Sequence, residues 1–138
     1  MAVATRGDFA SALYAALGIE SPSSTGQFSD AGQLDGVTST LADLGITYGV
    51  GDGAFGTEQT VTRGQAFTMM ARALGLVGGN ASIEQASQAL VTAGIVSGYA
   101  DGSLQLNAPL ESNHVGLLME RMAPELERPV DAADPVSY

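Results

Sequence analysis

The sequence contains no cysteine, no lysine and no tryptophan, and its single histidine is His114. The absence of cysteine excludes disulfides, thiolate metal sites and cysteine nucleophiles. The absence of lysine, together with one histidine, leaves few groups that could act as a general base or nucleophile. His114 occupies the repeat position of Gln65, where an exposed first-turn helix residue is the simplest interpretation. We therefore expect a protein that is not an enzyme and needs no cofactor.

Positive charge is also scarce, with 15 acidic residues against 5 basic ones and a formal net charge of -10. Such a chain repels nucleic acid and anionic membranes at long range, so we expect no nucleic-acid partner. No run of residues approaches the roughly 20 apolar residues of a membrane span. Residues 1–20 lack the basic start and apolar core of a secretory signal. The sequence thus predicts no membrane insertion and no signal peptide in this chain.

A repeated sequence motif is the most informative feature that the chain contains. One copy recurs 49 residues later, with Gly45, Ile46, Gly49, Asp52, Gly53 and Phe55 matched by Gly94, Ile95, Gly98, Asp101, Gly102 and Leu104. A second phrase, Thr5, Arg6, Gly7, reappears as Thr62, Arg63, Gly64. Repeats of this length indicate stacked units that bury their apolar faces against one another.

Each unit reads as two helices joined by a short loop. The first helix carries an apolar face, predicted from Leu34, Val37, Leu41, Leu44 in one copy and Ile83, Ala86, Leu90, Ala93 in the other. It should end at Gly45 or Gly94 in the left-handed conformation. An Asp-Gly turn follows, which favours a small hairpin or tight loop; one Asp per turn is too few for calcium, so we expect no metal site. The second helix begins at Thr5 and Thr62 with a capping box.

The second helices of the units supply the predicted core. Their apolar rows align across three copies as Phe9, Leu13, Leu17, then Ala66, Met70, Leu74, then Val115, Met119, Ala123. We predict a central bundle of these three helices, with Met69, Met70, Met119 and Met122 as core residues and not as a cofactor site.

The repeats predict one domain over residues 1–123, made of a half repeat at 4–19, a repeat at 28–77 and a repeat at 81–122. A Ser, Pro and Gly linker lies around residues 21–26. Residues 124–138 form a Pro-rich acidic tail, which we expect to be extended or disordered unless a partner holds it.

The repeat unit resembles the S-layer homology (SLH) module. The matching residues are Phe28, Ser29, Asp30, then Gly45, Ile46, Gly49, Asp52, Gly53, Phe55, then Val61, Thr62, Arg63, Leu74, Gly75, Leu76. The resemblance implies a mostly α fold, a pseudo-threefold helical prism with a central three-helix bundle and short Asp-Gly loops or hairpins. It also implies attachment to anionic, often pyruvylated, cell-wall glycans in grooves between units.

In that family the Arg of the Thr-Arg motif contacts the acidic group of the glycan, which carries over to Arg6 and Arg63. The candidate glycan- or anion-binding residues are accordingly Arg6, Arg63, Thr5, Thr62, Gly7 and Gly64. Ser112 replaces the third Arg, and the first unit lacks its front half, so two grooves at most are expected. The alternative is a structural role, in which each Arg pairs with Asp8, Glu58 or a backbone carbonyl near a helix start.

Two functions remain open. The first is a non-catalytic assembly protein that docks on a repetitive protein lattice, as a bacteriophage capsid decoration or tail accessory protein in the virion does, with contacts to surface glycans as an added role. The second is an envelope anchor at the bacterial cell surface that binds an anionic cell-wall glycopolymer. The sequence favours the first slightly, because the third motif is eroded and the boundaries are compact. Self-association through the incomplete first repeat is a further expectation.

Overall fold

The protein is mostly helical. The computed structural model describes residues 2–99 and 101–127. Its helices are α1 (Arg6–Ala16), α2 (Asp35–Asp43, after a 3-10 turn at Gly32–Leu34), α3 (Arg63–Ala73), α4 (Ile83–Thr92) and α5 (Ser112–Glu127). Within the described residues, extended backbone forms isolated bridges and no longer strand. The predicted mostly α class is confirmed, whereas the pseudo-threefold prism and the central bundle stay predictions.

Local capping chemistry fixes where the helices begin and end. Thr5 Oγ1 accepts the N–H of Asp8 at 3.0 Å, and the Asp8 carboxylate accepts the N–H of Thr5 at 3.1 Å. Thr62 and Gln65 form the same capping box at the start of α3. At the other end, Gly45 has φ of 78°, a left-handed value that suits glycine. The capping boxes and the glycine stop predicted from the sequence are therefore confirmed.

A closed ring of backbone hydrogen bonds joins the segments that lead into α1, α3 and α5. Ala4 donates to Leu110 at 2.9 Å, Leu110 donates to Val61 at 2.9 Å, and Val61 donates to Ala4 at 3.0 Å. All three side chains are buried. Because each segment pairs with both others, the ring brings the starts of the three repeated helices together, and α1 goes on to contact both α3 and α5.

The core lies beneath this ring. Phe9 and Leu13 of α1, Phe67 and Met70 of α3, and Met122 of α5 are all fully buried. Burial of side chains of this size contributes roughly 1.5–3 kcal/mol each, before entropy is counted. Met69 is also buried, which confirms that prediction, while Met119 is only partly buried against the core.

The buried face of α2 differs from the predicted one. Leu41 is buried as expected, but Leu44 is 56% exposed at the end of the helix. Thr38, Ser39 and Thr40 are buried in its place. Apolar spacing cannot reveal such a face, because its hydroxyls take part in hydrogen bonds that only the folded chain supplies.

Residues 23–27 supply those hydrogen bonds. Thr40 Oγ1 accepts the N–H of Ser23 at 3.0 Å, and Ser39 Oγ accepts the N–H of Gln27 at 3.1 Å. The Asp35 carboxylate accepts the N–H of Gly26 at 2.9 Å. The segment predicted as a linker around residues 21–26 is therefore attached to α2 along its length.

The end of the described chain also differs from expectation. Helix α5 continues through Pro124 to Glu127, so the first residues of the predicted tail at 124–138 are helical. Pro124 lies inside this helix and cannot donate a backbone hydrogen bond to the carbonyl four residues earlier. The rest of the predicted tail lies outside the described residues.

Helix α5 has a more polar outer surface than its repeat equivalents. Gly64 and Phe67 of α3 are buried, and the corresponding positions of α5, Asn113 and Gly116, are exposed. Glu120 is exposed, whereas Ala71, its equivalent in α3, is buried. Self-association through the incomplete first repeat stays a prediction, which a mass measurement in solution tests.

Candidate anion-binding grooves

The first-turn N–H groups of α1 and α3 are paired with backbone carbonyls. Gly7 donates to the carbonyl of Thr57 at 2.9 Å, and Gly64 donates to that of Leu106 at 2.9 Å. A Cβ at Gly64 would lie 2.6 Å from Ile83 Cγ2 and 3.0 Å from the Leu106 oxygen. Both glycines permit close approach of the following loop to the helix start, and Thr5 and Thr62 act as the caps.

Arg6 holds the loop of the following unit. Its Nε donates to the Phe55 carbonyl at 2.8 Å, and its Nη2 donates to the Tyr48 carbonyl at 2.9 Å. The guanidinium carbon lies 4.7 Å from the centre of the Phe55 ring. Burial lowers the pKa of Arg6 from its ordinary value, and the nearby Asp30 charge opposes that shift. The carbonyl contacts match the structural alternative considered for this arginine.

Asp30 holds the same loop through its N–H groups. Its carboxylate accepts the N–H of Phe55 at 2.7 Å, of Gly56 at 2.9 Å and of Thr57 at 3.2 Å. These backbone hydrogen bonds, led by that from Phe55, lower the pKa of Asp30. The sequence placed Asp30 in the repeat motif but gave no sign of this role, because its partners lie about 25 residues later.

Arg63 is anchored through fewer hydrogen bonds. Its Nε donates to the Leu104 carbonyl at 2.9 Å. The guanidinium carbon lies 5.1 Å from the Phe67 ring centre and 4.8 Å from the Tyr99 ring centre. Its other guanidinium nitrogens have no hydrogen-bond partner within residues 2–99 and 101–127. Arg63 is 9% exposed, so a largely buried cation retains free donors.

Each of these two arginines lines a groove. The Arg63 groove encloses about 150 Å³ and is lined by Arg63, Phe67, Val96, Ser97, Gly98, Tyr99, His114, Leu117, Leu118 and Arg121. The Arg6 groove is lined by Arg6, Thr47, Tyr48, Gly49, Val50, Gln65, Thr68, Met69, Arg72 and Ile83.

The two grooves are equivalent under the repeat. Gln65 and Arg72 of the Arg6 groove correspond to His114 and Arg121 of the Arg63 groove, each 49 residues later. Each of these two grooves therefore combines the first-turn arginine of one unit's second helix with an arginine from the second helix of the next unit. The two grooves share this arrangement of arginines, although their other lining residues are only partly alike.

Sequence reasoning missed Arg72 and Arg121 as site residues. The Arg72 guanidinium donates to the Gly79 carbonyl at 3.1 Å and lies 4.9 Å from the Tyr48 ring centre. Arg121 makes one long contact, 3.4 Å from Nη1 to the Ile95 carbonyl. Their shared repeat position was a usable signal, but nothing in the sequence showed that it faces the Thr-Arg motif of the preceding unit.

Positive charge is concentrated in the two grooves. The arginines of the described residues are Arg6, Arg63, Arg72 and Arg121, and all of them line the grooves. No aspartate or glutamate is among the lining residues of either groove. In a chain with net charge -10, this arrangement gives two local regions of positive charge.

The described side chains include no group of three or more His, Asp or Glu residues that could hold a metal ion. No helix in the described part of the chain has the length and apolar character needed to cross a membrane.

The fold and the grooves define a helical repeat module with basic grooves between successive units. The family model of the S-layer homology domain matches residues 39–67, which run from within α2 through the loop and into α3. This match confirms the S-layer homology assignment for that part of the repeat at residues 28–77. S-layer homology domains are binding domains for cell-surface polymers. Searches of curated proteins and of solved structures found no match to the chain.

Proposed function

We propose that this protein attaches to a bacterial cell surface by binding an anionic glycopolymer in the Arg63 and Arg6 grooves. The observation that carries the proposal is the concentration of the described arginines in two repeat-equivalent grooves that no acidic side chain lines. Cations gathered in this way on an otherwise acidic surface favour local binding of an anion.

Guanidinium groups suit the acidic substituents of such polymers. A guanidinium is planar, carries several N–H donors and pairs with carboxylates or phosphates through two hydrogen bonds. Tyr99, which is 40% exposed beside Arg63, adds flat apolar surface against which the carbon face of a sugar ring can pack. The net charge of -10 does not prevent binding, because charges farther away than about 8 Å are largely screened at physiological salt.

Thr5, Thr62, Gly7 and Gly64 contribute indirectly in this proposal. Their caps and close backbone contacts position Arg6 and Arg63 at the base of the grooves. The first-turn N–H groups of Gly7 and Gly64 donate to loop carbonyls, so the guanidiniums are the groups offered to the polymer.

The experiment is cosedimentation of the protein with purified wall glycopolymer that carries carboxylate or pyruvate groups. The informative variant is Arg121→Gln, because Arg121 is exposed and makes a single long contact of 3.4 Å with the protein. We expect binding to weaken about tenfold with the fold unchanged, since an ionic hydrogen bond contributes about 1.5–3 kcal/mol. The matched control is Gln88→Glu, which changes the net charge equally on the exposed side of α4. Equal loss in both variants would contradict the proposal.

Docking on a protein lattice such as a virion is the second candidate. The observation in its favour is a set of exposed apolar side chains outside the groove linings, namely Val3 at 41%, Leu44 at 56% and Leu76 at 42% exposure. Salt separates the two candidates, because ionic binding to a polymer weakens as salt rises and apolar docking does not. Incorporation into particles that resists high salt and survives Arg121→Gln would favour the lattice.

A further inference from the structure

We infer that the Arg63 groove binds its anionic group together with a proton, which His114 takes up. The inference rests on the proposed function and adds a regulated step to it. The two grooves differ at one titratable position, where the Arg63 groove has His114 and the Arg6 groove has Gln65. Histidine is the side chain that ordinarily changes charge between about pH 5 and 8. Glutamine does not titrate.

The arginines of the Arg63 groove make fewer hydrogen bonds to the protein than those of the Arg6 groove. Arg63 has guanidinium nitrogens without hydrogen-bond partners in the described residues, and Arg121 makes one long contact. In the Arg6 groove, Arg6 donates to two loop carbonyls and Arg72 to a third, although Arg72 Nε is buried without a partner among the described residues. The Arg63 groove holds about 150 Å³, well above the roughly 10–15 Å³ that one water needs, so it has room for a carboxylate, sulfate or phosphate group.

The charges around His114 explain why binding and protonation are coupled. Arg63 on α3 and Arg121 on α5 line the same groove as His114. The Glu111 carboxylate is also near, with its Oε1 3.9 Å from His114 Nε2. The loop on the far side contributes Tyr99 to the cavity, and Asp101 beyond it accepts hydrogen bonds from Ser103.

A bound anion changes this balance. It neutralises the field of the two arginines and attracts the imidazolium, so the bound state holds the proton more tightly than the free state. Because the coupling is reciprocal, the groove must then bind the anion more tightly when His114 is protonated. Affinity in the Arg63 groove should therefore rise as the pH falls, and affinity in the Arg6 groove should not.

The test is isothermal titration of the full chain with a sulfated dextran oligosaccharide at about pH 5.5 and pH 8. Sulfate esters keep their charge over this range, so any change comes from the protein. We expect about fivefold tighter binding at pH 5.5, the size of one partly exposed charge pair. Titrations in two buffers of different ionisation enthalpy should show proton uptake on binding.

The matched variant is His114→Gln, which gives the Arg63 groove the residue that the other groove has. We expect it to bind equally well at pH 5.5 and pH 8 and to show no proton uptake. A second variant, Glu111→Gln, should keep the pH dependence. Wild-type binding that does not change with pH, or the same pH dependence in His114→Gln, would overturn the inference and leave the proposed function standing. No binding at either pH would overturn both.

Discussion

Arg6 and Asp30 hold one short stretch of backbone between them. Arg6 Nε donates to the Phe55 carbonyl at 2.8 Å, while the Asp30 carboxylate accepts the Phe55 N–H at 2.7 Å. The Arg6 cation therefore pairs with the carbonyl of Phe55, and the Asp30 anion pairs with the N–H of the same residue. The two side chains come from different units, so this relationship fixes the loop of one unit against the second helix of the unit before it.

We expect Asp30→Asn to destabilise the protein in a pH-dependent way. The pKa of Asp30 is lowered in the folded state by its backbone hydrogen bonds, so the native state favours the ionised carboxylate. That contribution is present above the unfolded pKa of about 3.9 and is lost as the pH falls through the lower folded value. The melting temperature of the variant should fall below that of the wild type at pH 6, and the difference should shrink towards pH 3.

The control for Asp30→Asn is Glu58→Gln, an exposed acid in the same loop with no hydrogen bond in the described residues. It removes the same charge without removing an acceptor. A decrease in melting temperature at pH 6 as large as that of Asp30→Asn would show that net charge, and not the loop contacts, is responsible.

Arg6 and Arg121 should separate stability from binding. We expect Arg6→Met to lower the free energy of unfolding by about 2–4 kcal/mol, because it removes hydrogen bonds to the Phe55 and Tyr48 carbonyls in a buried setting. Arg121→Met should change it by less than about 0.5 kcal/mol, since Arg121 is exposed. Urea unfolding measures both. Equal destabilisation by the two variants would contradict the assigned roles.

Two glycine substitutions should act in opposite directions. In Gly64→Ala, the new Cβ would lie 2.6 Å from Ile83 Cγ2, so we expect overpacking to destabilise the protein by about 1–3 kcal/mol. In Gly116→Ala, the Cβ meets nothing within 4 Å, and the higher helix propensity of alanine should stabilise it by about 0.5–1 kcal/mol. Urea midpoints give the sign of each change. Stabilisation by Gly64→Ala would mean that Ile83, at the start of α4, does not lie against α3 as described.

Thr40→Val should release Ser23 and Ser24 from α2. The substitution keeps the shape of the buried side chain but removes the oxygen that accepts the N–H of Ser23 at 3.0 Å, at a cost of about 1–2 kcal/mol. Amide exchange at Ser23 and Ser24 should accelerate. Thr38→Val is the control, because the Thr38 hydroxyl bonds to the Leu34 carbonyl within its own helix region. Faster exchange in both variants would show that the hydroxyl of Thr40 has no special role.

Sequence reasoning succeeded where the cause of a structure lies within a few residues. The capping boxes at Thr5 and Thr62 and the glycine stop at Gly45 depend on hydrogen bonds between near neighbours. The apolar spacing of α3 likewise identified Met70 as core. It failed for α2, where Leu44 is exposed and Thr40 is buried, because distant backbone supplies the partners of those hydroxyls.

The sequence by itself determined the repeat, the caps, the mostly α class and the two arginines of the Thr-Arg motif. Only the tertiary structure decided that Arg72 joins Arg6 and that Arg121 joins Arg63, and that both grooves lack acidic side chains. The physical reason is that each groove forms between units, where the ring of Ala4, Val61 and Leu110 sets their relative positions. Spacing along the chain does not encode which surfaces such contacts bring face to face.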